Sequence, residues 1–131
     1  MVSFLIVSHG GFAEGLIDAS QMIMGEQEKV VGIGLQTEEG PEQLKEKMKK
    51  EVENLDEGDG VLVLVDLYGG TPGNSAAYLL EMKNKIEVLT GINLPLFLEL
   101  LNLRNSQSLK ELVDSAKSLS GKGFKVLSEI L

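Results

Sequence analysis

His9 is the only imidazole in the chain, and it stands between an apolar run, Val2 to Val7, and two glycines, Gly10 and Gly11. A second apolar run, Val61 to Val65, ends on Asp66. An imidazole beside a carboxylate has a specific use: the carboxylate accepts one ring N–H, fixes the tautomer and leaves the other nitrogen with a free lone pair. That nitrogen is a nucleophile near neutral pH. Accepting a phosphoryl group then needs in-line positioning and donors for its equatorial oxygens, and helix N-termini supply such donors. Two helix starts are available, one after Gly10-Gly11 and one after Gly69-Gly70, where the Thr71 hydroxyl could bond either a phosphate oxygen or the helix backbone. His9 and Asp66 are therefore the candidate catalytic pair, and Gly10, Gly11, Gly70 and Thr71 the candidate phosphate contacts.

Each of these residues also has a plainer use. A lone histidine is more often a surface or satisfied core residue, and an aspartate or glycines after a strand often serve only the turn. Placement at the end of a buried strand, ahead of two glycines, tips His9 toward chemistry. Other chemistries lack their residues. The stretch Gly69 to Asn74 has no P-loop lysine, no Gly-x-Gly-x-x-Gly follows a strand, and no Gly-x-Ser-x-Gly elbow occurs. One histidine without cysteine makes a zinc site improbable, so no metal and no cofactor is expected.

The elements that must hold these residues follow from periodicity. Short β-branched runs alternate with segments of helical period, the pattern of a parallel sheet covered by helices. Strands are predicted at Val2 to Val7, Val30 to Leu35, Val61 to Val65 and Ile86 to Thr90, with Gly32 and Gly34 in the second suggesting close backbone approach. Phe12, Leu16, Ala19, Ser20 and Ile23 mark one packed helix face, closed by Gly25. Leu44, Met48, Val52 and Leu55 mark another, opened by Pro41. A third helix is expected with Thr71 as N-cap, Pro72 at its first position, and Ala76, Ala77, Leu79 and Leu80 on its buried side; two more are expected over Pro95 to Leu103 and Ser108 to Leu119. Met22, Met24, Met48 and Met82 read as core filler, and Tyr68 as a surface aromatic or, preferred here, a partner contact. The fold class is α/β, a three-layer sandwich with a mostly parallel sheet in the order 2-1-3-4, and that order puts His9, Asp66 and Gly91 on one rim. Phe124 to Leu131 is left over, as an edge strand or an arm packed on another subunit.

With 131 residues the chain fits a single domain spanning residues 1–131. Twenty acidic against twelve basic residues give a net charge of −8, which disfavours nucleic acid and anionic lipid as partners and favours proteins with a basic face. Neither a signal peptide nor a membrane span is supported, so a cytoplasmic location is expected.

At His9 with Gly10-Gly11, at Leu64 to Pro72, at Met24-Gly-Glu-Gln27 and at Thr90 to Pro95, the chain resembles the IIA component of the mannose family of the phosphoenolpyruvate-dependent sugar phosphotransferase system. The resemblance runs essentially end to end. It implies a phosphoryl carrier in which His9 accepts phosphate from phospho-HPr, Asp66 bonds the ring and Thr71 stands near the phosphate. A IIB component then receives the group, with membrane IIC and IID components involved indirectly in sugar uptake. It further implies a homodimer in which the last strand, antiparallel, is exchanged between subunits. Tyr68 stands where the family often has tryptophan, and Thr71 where it often has serine. The phosphocarrier subunit of dihydroxyacetone kinases is the nearest alternative, disfavoured by Asp66 to Pro72. A response-regulator-like receiver would need acidic metal ligands after the first strand, where this chain has Ser8-His9.

Overall fold

The computed structural model describes residues 1–131. Strands β1 (Ser3–His9), β2 (Val30–Leu35), β3 (Val61–Val65) and β4 (Ile86–Thr90) form one fully parallel sheet in the order β2-β1-β3-β4, the order anticipated above. Helices α1 (Phe12–Met24), α2 (Pro41–Leu55), α3 (Gly70–Ala77), α4 (Leu94–Leu103) and α5 (Leu109–Leu119) cover its faces, and α3 runs on into a 3₁₀ turn, Tyr78–Glu81.

β3 throughout and β1 from Phe4 to Val7 are apolar because alternate side chains enter two different cores. Phe4, Ile6, Leu62 and Leu64 pack with Leu96, Phe97 and Leu112 on the side of α1, α4 and α5. Leu5, Val7, Val63 and Val65 pack with Leu44, Met48 and Leu79 on the side of α2 and α3. Both strands are therefore central, and whatever follows them is held on a rigid rim.

Helix starts follow their caps. Pro41 opens α2, with the Gln43 side chain accepting from the Gly40 N–H. Asn93 caps α4 through the Leu96 N–H at 2.9 Å, which starts that helix one residue before Pro95. Ser108 and Glu111 form a reciprocal capping box on α5.

At the amino ends of the strands, Arg104 is buried against the Phe4 ring, 5.0 Å from its centroid, and donates to the carbonyls of Val2, Glu28 and Lys29. Burial pushes the guanidinium below its ordinary pKa, yet it stays charged and ties α4 to the starts of β1 and β2. Asp56 closes the turn before β3. The Asn84 amide and the Gly58 and Gly60 N–H groups bond its carboxyl and hold it below the usual carboxylate value.

Several expected faces are corrected. The inward side of α1 is Ala13, Leu16 and Ser20, with Ile17 and Met24 partly buried, whereas Phe12 and Ile23 are exposed. α1 sits close over β2, where a Cβ at Gly32 would be 3.4 Å from the Ala13 Cβ, so only a small residue can face inward there. Met22, expected as core filler, is 86% exposed. α3 starts at Gly70 with Gly69 as its cap, so Thr71 is the second helical residue and not the N-cap, because two glycines at positive φ complete the turn earlier. Leu80 and Ala77 face outward, because the inward stripe is Pro72, Ser75, Ala76 and Leu79, at the three-and-four spacing of one helix face.

The C-terminal segment forms no strand within the chain. Residues 121–131 are exposed, and Leu127–Ile130 makes one helical turn, α6. The segment's backbone bonds are local, from the N–H groups of Phe124, Glu129 and Leu131 to the carbonyls of Gly121, Val126 and Leu127. No helix in the fold is long and apolar enough to cross a membrane.

Candidate functional site

β1 and β3 are adjacent and parallel with Val7 opposite Val65, so each delivers its next residues to the same rim. There Asp66 Oδ2 accepts two hydrogen bonds from His9, one from the backbone N–H and one from ring Nδ1, each 2.9 Å. The ring is 50% exposed and the carboxylate 14%. An acceptor on Nδ1 assigns the proton to that nitrogen and leaves the lone pair on Nε2. Because the same oxygen holds the backbone of His9, ring and main chain cannot move independently. Asp66 Oδ1 is buried with no hydrogen bond, so His9 is the carboxylate's only partner.

Across the ring lies the start of α3. Gly70 adopts φ +72°, and a Cβ there would stand 3.3 Å from His9 Cε1 and 3.4 Å from Nε2. A side chain at this position would press on the nitrogen that carries the lone pair. Pro72 brings no N–H, and the N–H groups of Gly70 and Thr71 have no partner in the chain. The start of α1 lies on the other side of His9. Here Ser8, buried, accepts the Ala13 N–H through Oγ at 2.8 Å, while the Gly11 and Phe12 N–H groups remain unpaired. Ser8 thus does the capping that Gly11, the residue at the cap position, cannot. Its place beside His9 was visible in the sequence, but nothing in the sequence distinguished a cap from an ordinary strand residue.

Gly91, expected on this rim, serves the backbone: its N–H and that of Ile92 donate to the Val65 carbonyl at 2.9 and 3.1 Å. Close in sequence to His9 and Asp66, the apolar side chains of Phe12, Leu67 and Tyr68 are exposed, Tyr68 to 88%. A groove of about 350 Å³ between α3 and β4 is lined by Tyr68, Ala77, Leu80, Val88 and Thr90. A larger hollow of about 1000 Å³ opens at the opposite, amino end of the sheet and contains neither His9 nor Asp66. No cluster of three His, Asp or Glu side chains is placed to hold a metal.

The fold and the rim together define a class: a doubly wound α/β domain whose switch point presents one carboxylate-held imidazole between two helix starts. Residues 3–117 match the EIIA-man family model, described as PTS system fructose IIA component, and the chain belongs to that family. It is 37% identical to the PTS system fructose-specific EIIA component of Bacillus subtilis, a similarity that covers all of this chain and 90% of the relative. It is 38% identical over 127 residues to the PTS system mannose-specific EIIAB component of Escherichia coli K12, of whose length it spans 39%. The crystal structure of phosphotransferase system component EIIA from Streptococcus agalactiae aligns with a TM-score of 0.89 at 33% identity, covering 98% of this chain and 99% of that one. These relatives are IIA or IIAB components of phosphotransferase systems, which supports a phosphoryl carrier role.

Proposed function

We propose that the chain carries a phosphoryl group on Nε2 of His9, received from phospho-HPr and passed to a IIB component during sugar uptake through membrane IIC and IID components. The observation that carries this reading is the Nδ1 to Asp66 bond, which leaves Nε2 as the free nucleophile. In the accepting step the Nε2 lone pair forms the new N–P bond while the donor's N–P bond breaks, and the donor histidine keeps that electron pair. The Asp66 carboxylate balances the charge that develops on the ring, and unpaired N–H groups of Gly11, Gly70 and Thr71 are donors for the equatorial oxygens. Phe12, Leu67 and Tyr68 form the apolar surface on which donor and acceptor dock in turn, and the chain's net charge of −8 steers a partner with a basic face. The chain acts in the cytoplasm.

A relay reconstituted from phosphoenolpyruvate, the general carrier proteins, this chain and a IIB component tests the reading. Label is expected to pass to IIB only when this chain is present; direct passage from HPr to IIB would reject it.

The carrier is a homodimer in this reading. Phe124, Val126, Leu127, Ile130 and Leu131 are exposed at the C-terminus, Gly123 lies against Pro95, and β4 has an open outer edge. A tail crossing to the partner's β4 would add an antiparallel strand and bury those side chains. Sedimentation is expected to show a dimer for the full chain and a monomer for a chain ending at Lys122; a dimer that survives the deletion would rule out tail exchange.

A further inference from the structure

Gly34 lies on β2 opposite Ser8 and makes its decisive contact with the turn after His9. The Gly10 N–H continues the ladder to the Leu35 carbonyl at 3.0 Å, and with φ +48° the Gly10 carbonyl folds back over β2. A Cβ on Gly34 would stand 1.9 Å from the Gly10 oxygen and 3.0 Å from its carbon. The obstructing atoms are backbone, so no rotamer change relieves them, and any larger residue must displace the peptide by about 1 Å or more. Gly32, two residues earlier on the same strand, differs: a Cβ there meets Ile17 Cδ1 at 2.9 Å, the mobile end of a side chain.

A trans peptide holds its C=O and N–H in opposite directions. With the Gly10 carbonyl seated on Gly34, the Gly11 N–H points away from β2, and no group in the chain accepts it. We propose that Gly34 is a positioning residue for phosphoryl transfer: by seating the Gly10 carbonyl it aims the Gly11 N–H at an equatorial oxygen of the group on His9. The inference rests on His9 being the carrier, and Gly34 acts through Gly10 and Gly11 without touching the phosphoryl group.

Wild type, Gly34→Ala and Gly32→Ala are compared by single-turnover labelling from phospho-HPr and by amide NMR spectra before and after labelling. Gly34→Ala is expected to slow labelling at saturating phospho-HPr at least about tenfold with little change in half-saturation, because a donor aimed at the transferring group is lost. Gly32→Ala perturbs the same strand and is expected to label at the wild-type rate. In wild type the Gly11 amide proton moves downfield on phosphorylation; in Gly34→Ala that shift is lost. A folded Gly34→Ala that labels at the wild-type rate overturns the proposal, as does a wild-type Gly11 amide indifferent to phosphorylation. The second result decides even where Gly34→Ala does not fold. A wild-type chain that takes no label on His9 rejects the carrier reading itself, and the proposal with it.

Discussion

His9→Ala is expected to abolish labelling by phospho-HPr, a loss of at least about a thousandfold, since the nucleophile is gone and no other group can replace it. Asp66, the adjacent carboxylate, is held with one oxygen buried and the other committed to His9, so neither oxygen is presented to a donor. The fold should survive the change. The ring is half exposed, so its truncation removes little packing, and the bond from the backbone N–H of residue 9 to Asp66 does not depend on the side chain. Thermal unfolding of the variant should therefore match wild type, and radiolabel from phosphoenolpyruvate should be absent. Labelling equal to wild type would move the acceptor elsewhere.

Asp66→Asn is expected to slow transfer by on the order of 10² to 10³ while leaving the chain folded. The carboxylate accepts from Nδ1 and so selects the tautomer with Nε2 free. An amide whose oxygen keeps both bonds to His9 must bury its NH₂ where Oδ1 has no partner, and one turned the other way sets NH₂ against the His9 N–H and Nδ1, which places the ring proton on Nε2 and blocks the attacking lone pair. It also lacks the negative charge that offsets the developing imidazolium. Because the shape is retained, docking of phospho-HPr should be little affected, and the loss should fall on the maximal single-turnover rate. A rate within twofold of wild type would show that the pair, though 2.9 Å apart, has no part in transfer.

The central strands and their order were legible because burial on both faces writes an uninterrupted apolar run, as in Val61 to Val65, and the doubly wound order follows from few alternatives. The juxtaposition of His9 and Asp66 was legible for the same reason: neighbouring parallel strands end on one rim. The face of α1 was not. Leu16 and Ser20 belong to both faces, but Phe12, Ala19 and Ile23 satisfy helical spacing with them as well as Ala13 and Ile17 do, and the choice is made by the close approach to β2 at Gly32, a tertiary contact. The exposed Phe12 and Met22 look like core residues when burial is unknown. The start of α3 was misplaced because Thr71-Pro72 is a good capping pair, and only the backbone shows Gly69 and Gly70 already at positive φ. Gly34 carried a signal, a glycine inside a strand, but its contact, the Gly10 carbonyl, became visible only in three dimensions.

The most direct test is the chemical identity of the phosphorylated residue. Phosphorus NMR of the chain labelled from phosphoenolpyruvate, with peptide mapping, should find a single acid-labile phosphohistidine at His9, bonded through Nε2. Phosphate on Nδ1, the nitrogen held by Asp66, or on Asp66 itself would contradict the account.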